Sequence, residues 1–129
     1  MNKKTGKIII SFILLFVFTW PKILYSQEIS EKATIIQDKI LVPNAFSPND
    51  DGINDVFKIF MKHDVLLESM IIINRYGEIV FETKNPNQFW DGKYKGIEST
   101  EGSYTYLIAF FIPGIEGIHS KKGTITLFR

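Results

Sequence analysis

Between Ser103 and Phe111 the side chains alternate, with Tyr104, Tyr106, Ile108 and Phe110 on one face and Ser103, Thr105, Leu107 and Ala109 on the other. A period of two belongs to a strand with one face turned to a core, and the first face is clearly the heavier. The same character runs through most of the chain. β-Branched and aromatic residues come in short runs broken by Gly, Pro, Asn and Asp, and no window sustains a helical stripe. Met70 to Asn74 and Ile79 to Glu82 flank Arg75-Tyr76-Gly77-Glu78, where Gly77 can take the positive φ of a tight reversal, so a β-hairpin is expected there. Thr124 to Arg129 reads as a last strand, with Ile125 and Leu127 on one side. With short strands at Ile40 to Val42 and Val56 to Met61, the count reaches about six or seven, with turn signals every 8 to 12 residues or so. The expected fold is all-β, an immunoglobulin-like two-sheet antiparallel sandwich.

The length of 129 residues is enough for one such domain and excludes two. Lys3, Lys4 and Lys7 precede an uncharged run from Ile8 to Trp20, followed by Pro21. This is the layout of a signal peptide, expected over 1–26 with cleavage after Ser26. The apolar run is shorter than the ~20 residues a spanning helix needs, which makes an uncleaved anchor the weaker reading. Residues 27–39 read as a short linker, and the folded domain as 40–129. From Gln27 onward eleven basic residues face fourteen acidic ones, a formal charge of −3. That balance, with no Lys/Arg-rich aromatic stretch, argues against nucleic acid as a partner. The absence of Cys excludes disulfides, thiolate zinc sites, a Cys nucleophile and a lipid-modified N-terminal Cys.

No catalytic constellation stands out. His63 and His119 are solitary and lack metal-ligand spacing, no Ser sits in a G-x-S-x-G elbow, and neither Asp50/Asp51 nor Asp64/Glu68 is isolated as a pair facing a cleft. Gly52, Gly92, Gly96 and Gly102 read as turn residues and not as a phosphate cradle. The most informative segment is 42–57, which packs two Pro, one Gly and six Asn/Asp between two strands. Asx-turns account for that composition. The alternative is a calcium site, with oxygens from Asn49, Asp51, Asn54 and Asp55 around Gly52; the EF-hand form fails, because its twelfth position falls on Phe60 or Met61. Trp90, before Asp91-Gly92, reads as a core plug, with a sugar-stacking platform as the alternative.

Five blocks of the chain together resemble a known family: 43–49 with 51–55, Asn74 to Phe81, Trp90-Asp91-Gly92, Gly102 to Tyr106, and Lys122 to Leu127. In this order they are similar to the gliding-motility-associated C-terminal domain. The resemblance implies a non-enzymatic type B sorting domain of the type IX secretion system, needing no cofactor and exported to the cell surface through the periplasm and outer membrane. Its implied partner is an outer-membrane protein of the secretion machinery. No small-molecule substrate is implied, and membrane contact only during export. Tyr76 stands where the family commonly has Trp, Asp50 where a small residue is usual, and Thr100 where Pro often occurs. Such domains usually end long adhesins or enzymes, so the chain reads as a minimal passenger or as a fragment. The surface a receptor would read is expected at Pro48, Asn49, Asp51, Gly52, Asn54, Asp55 and Arg129, or along an exposed strand edge. The competing expectation is a free-standing adhesin or carbohydrate-binding module with contacts from Trp90, Tyr94 and the Asn/Asp loop, stabilised by calcium.

Overall fold

Inward-facing apolar residues on every second position of the long strands build the core. The computed structural model describes residues 22–36 and 38–129. Most of the expected signal peptide, with its lysines and the run Ile8 to Trp20, lies outside the described residues. The described residues divide into two units, 22–36 and 38–129.

In the first unit, residues 22–36 are helical, and 22–35 are exposed. No sustained helical stripe was expected, and the helix overlaps the stretch read as a linker, 27–39. Local chemistry explains the difference: Gln27, Glu28, Glu31, Lys32 and Ala33 are good helix formers, and Glu28 precedes Lys32 by one helical turn in the favourable orientation. Thr34 adds a hydroxyl bond back to the Ser30 carbonyl at 3.0 Å. A helix held by local terms leaves no apolar stripe in the sequence to read.

Among the described residues the second unit has nine strands: β1 (Ile40–Leu41), β2 (Ala45–Phe46), β3 (Phe60–Met61), β4 (Leu66–Ile73), β5 (Ile79–Thr83), β6 (Lys93–Tyr94), β7 (Ile97–Glu98), β8 (Gly102–Ile112) and β9 (Ile115–Leu127). Five of them are two residues long, which is why the count exceeds the six or seven expected. One sheet has the order β2-β9-β8-β4-β5, and β1-β3 and β6-β7 form two small sheets. The fold is an all-β, immunoglobulin-like sandwich. Its pairings are antiparallel except one: β2 runs parallel to β9, with Ala45 beside Thr126 and Phe46 beside Leu127. The chain leaves β1 in one sheet and enters β2 in another.

The heavier face of β8 is the buried one, as its alternation requires: Tyr104, Tyr106, Ile108, Phe110 and Ile112 all point inward. Met70 and Ile72 of β4 and Ile125 and Leu127 of β9 lie beside them. Ile40, Phe57, Ile59, Val65 and Trp90 are buried as well. Phe57 and Trp90 form an isolated antiparallel bridge, with the Phe57 N–H donating to the Trp90 carbonyl at 2.8 Å. Trp90 is 1% exposed and meets Tyr104 edge-on at 4.9 Å and Phe46 at 5.3 Å. It is the core plug, and its indole N–H donates to the Lys93 carbonyl at 2.9 Å, so the ring is no sugar platform.

The β4–β5 hairpin turns at the expected place. The Asn74 side-chain oxygen accepts from the N–H groups of Tyr76 and Glu78, and Gly77 sits at φ 84°.

Candidate recognition surface

The sheet register collects several loops at one end of the sandwich. Ile73 pairs with Thr105, Gly102 with Leu127, and Thr126 with Ala45. The turn after β4, the segment before β8, the end of β9 and the loop after β2 must therefore emerge together.

The loop after β2 is built on Asp55. Its Oδ1 accepts from the N–H groups of Asn49 and Asp50 at 3.1 and 2.8 Å, and its Oδ2 accepts from that of Gly52 at 2.8 Å. Asp51 Oδ1 accepts from the Ile53 N–H, Asn49 Oδ1 from the Asp51 N–H, and the Asn49 amide donates to Asp51 Oδ2. The Ser47 N–H closes the base onto the Asn54 carbonyl at 2.9 Å. Three residues take positive φ: Asp50 at 61°, Gly52 at 84° and Asn54 at 56°. Asn and Asp tolerate that region better than other side chains, because their short polar groups bond locally. The side-chain oxygens of Asn49, Asp51 and Asp55 thus accept N–H groups of the loop itself, and Asn54 enters through its carbonyl. Among the described residues, no group of three or more His, Asp or Glu side chains is placed to hold a metal ion.

Pro48 links this loop to the Asp91-Gly92 turn. A methyl group added at Gly92 would stand 3.0 Å from both Pro48 Cγ and Leu127 Cδ1, so the three are in contact. Gly92 has φ 77°, and its carbonyl accepts from the Ser99 N–H at 2.8 Å. Arg129 closes the cluster: its guanidinium donates to the carbonyls of Ser99 at 2.5 Å and Gly92 at 3.2 Å and lies 3.5 Å from the Glu98 carboxylate. Beside it an open cleft of about 350 Å³ lies between the 74–78 turn and the β6–β7 hairpin. Tyr76 and Ile97 on its rims are each 73% exposed. Arg75 stacks on Tyr76 and Lys95 on Tyr94, each 4.9 Å from the ring centre.

A family model for the CHU_C type IX secretion signal domain matches residues 40–127. The chain belongs to this family. No curated protein and no solved structure matches it. The resemblance to the gliding-motility-associated C-terminal domain is borne out, and with it a sorting-signal role. A type IX secretion signal domain engages the secretion machinery and directs export to the outer membrane or cell surface; it is a sorting domain and not a catalytic one.

In this type IX secretion signal domain the structure brings Pro48 and Arg129 to one cluster. The residues that connect them, Gly92, Glu98 and Ser99, were not singled out for this role. Gly92 was legible as a turn residue, but nothing local ties it to a proline more than forty positions earlier. His119 packs on Phe110 at 5.9 Å, with its Nε2 buried and unpartnered, while His63 is exposed.

Proposed function

We propose that this domain is recognised in its folded state by an outer-membrane component of the type IX machinery. The contact surface in this reading is the end bearing Pro48, Asn49, Asp51, Gly52, Asn54, Asp55 and Arg129. The route begins with residues 1–26 as a signal peptide cut after Ser26. The chain then folds in the periplasm, crosses the outer membrane through the machinery and arrives at the cell surface. The loop serves as a rigid shape held by Asx bonds and not as a calcium site. The observation that supports this reading best is the convergence of the loop, the Gly92 turn and Arg129, within a chain whose family is one of secretion signals. Surface loops fixed by many local bonds are pre-organised, so little ordering entropy opposes docking.

The test follows the full chain with an antibody on intact cells, in strains with and without the type IX machinery. Delivery to the surface only where the machinery is present is the expected result, and equal delivery in both strains overturns the reading. Arg129→Ala should lower delivery while the purified chain still folds.

A further inference from the structure

β9 is a strand of thirteen residues, yet on the side away from β8 its only neighbour among the described residues is the two-residue β2, which covers Thr126 and Leu127. The N–H of Thr126 donates to the Asn44 carbonyl at 2.9 Å and that of Phe128 to the Phe46 carbonyl at 3.1 Å. Strand alternation therefore points the backbone groups of Thr124, Lys122 and Ser120 to this same side. There, upstream of β2, no further strand of the sheet meets them among the described residues. The side chains of Ser120, Lys122 and Thr124 are exposed. From Gly117 to Phe128 the chain carries Lys121, whose Nζ donates to the Ile40 carbonyl at 2.7 Å, and the exposed Lys122, and no Asp or Glu.

We propose that this edge is a pairing site for an extended, acidic segment of the secretion machinery, which adds as a strand beside Ser120 to Thr124. The proposal deepens the sorting reading and rests on it. Main-chain bonds to an open edge supply affinity, and side chains facing outward supply choice. The charge selects the occupant. A second copy pairing antiparallel through Lys122 would set like charges side by side, which disfavours self-association, whereas carboxylates on an incoming strand would meet Lys122. The other edge of the sheet, β5, carries Glu82 with Glu78 beside it and is no match for such a segment.

Proline distinguishes this role from a structural one. At Lys122 or Thr124 the N–H faces away from β8, so Lys122→Pro or Thr124→Pro removes a donor from the open edge and leaves the β8–β9 ladder whole. In machinery-positive cells, each should cut surface delivery of the full chain by at least about tenfold, the equivalent of one lost main-chain contact or more. Melting of the purified chain checks that the domain still folds. Lys122→Glu keeps every backbone group and should also lose delivery, while Lys122→Arg should restore it. Normal delivery of Lys122→Glu and of a folded proline variant overturns the proposal. Self-association of the purified wild-type chain that Lys122→Pro abolishes also overturns it, in favour of a second copy. Equal delivery of the wild-type chain without the machinery removes the sorting reading itself, a result distinct from both.

Discussion

Gly123 lacks a side chain where Tyr106 needs the room. The two face each other across β8 and β9, and a Cβ at Gly123 would stand 2.6 Å from the ring carbon that bears the Tyr106 hydroxyl. Gly123→Ala must push that ring into a filled core, and the expected loss is about 1–3 kcal/mol of stability in urea unfolding. Asp55 carries a comparable share of the loop. Asp55→Ala removes the acceptor of three backbone N–H groups, and because the loop is exposed, water replaces part of what is lost; a cost of about 1–2 kcal/mol is expected. Asp55→Asn, which retains one acceptor oxygen, should fall between the two. With the carboxylate oxygens already engaged, added calcium should leave the melting temperature of the chain unchanged, and a clear upward shift would return the loop to the metal-binding reading.

At the level of elements, what the sequence discloses depends on where the stabilising partner lies. β8 was legible because its own alternation declares the buried face, and the β4–β5 turn because Asn74 and Gly77 carry its chemistry locally. The first half of β9 was not: Gly117, Lys121, Lys122 and Gly123 look like a break, and pairing with β8 across the turn overrides their weak strand preference. Of the two-residue strands, β1 and β3 fall inside the short strands expected at Ile40 to Val42 and Val56 to Met61, while β2 was hidden because its partner β9 lies far along the chain. The loop of the recognition surface was readable as an Asx-turn, but its attachment to Gly92 and Arg129 depends on the parallel β2–β9 contact, which no local pattern announces. Gly92→Ala tests that attachment. It places a side chain at φ 77° and against Pro48 and Leu127, so a loss of about 1–3 kcal/mol is expected, with reduced surface delivery as the loop is displaced. Trp90→Ala, by contrast, empties the centre of the aromatic cluster, and about 3–5 kcal/mol should be lost.

For the molecule as a whole, two groups couple folding to pH. The hydrogen bond from Lys39 holds the Asp64 carboxyl below its ordinary value of 3.8. This bond ties the entry of β1 to the turn before β4. A carboxylate depressed by folding contributes stability that is present above that ordinary value and is lost as pH falls through the lower folded one. Burial pushes the Tyr106 hydroxyl the other way, above 10.0, because a tyrosinate would have to lose its water in the core. Its contribution is complete below pH 10 and disappears as pH rises through the folded value, since the unfolded chain then releases the proton more readily. The expected stability curve is flat through neutral pH and falls at both ends. Tyr106→Phe should flatten the alkaline limb and leave the acid limb alone, and Asp64→Asn should do the reverse. Denaturant midpoints recorded across the range for the three chains would separate them, and an alkaline limb unchanged in Tyr106→Phe would assign that limb to another group.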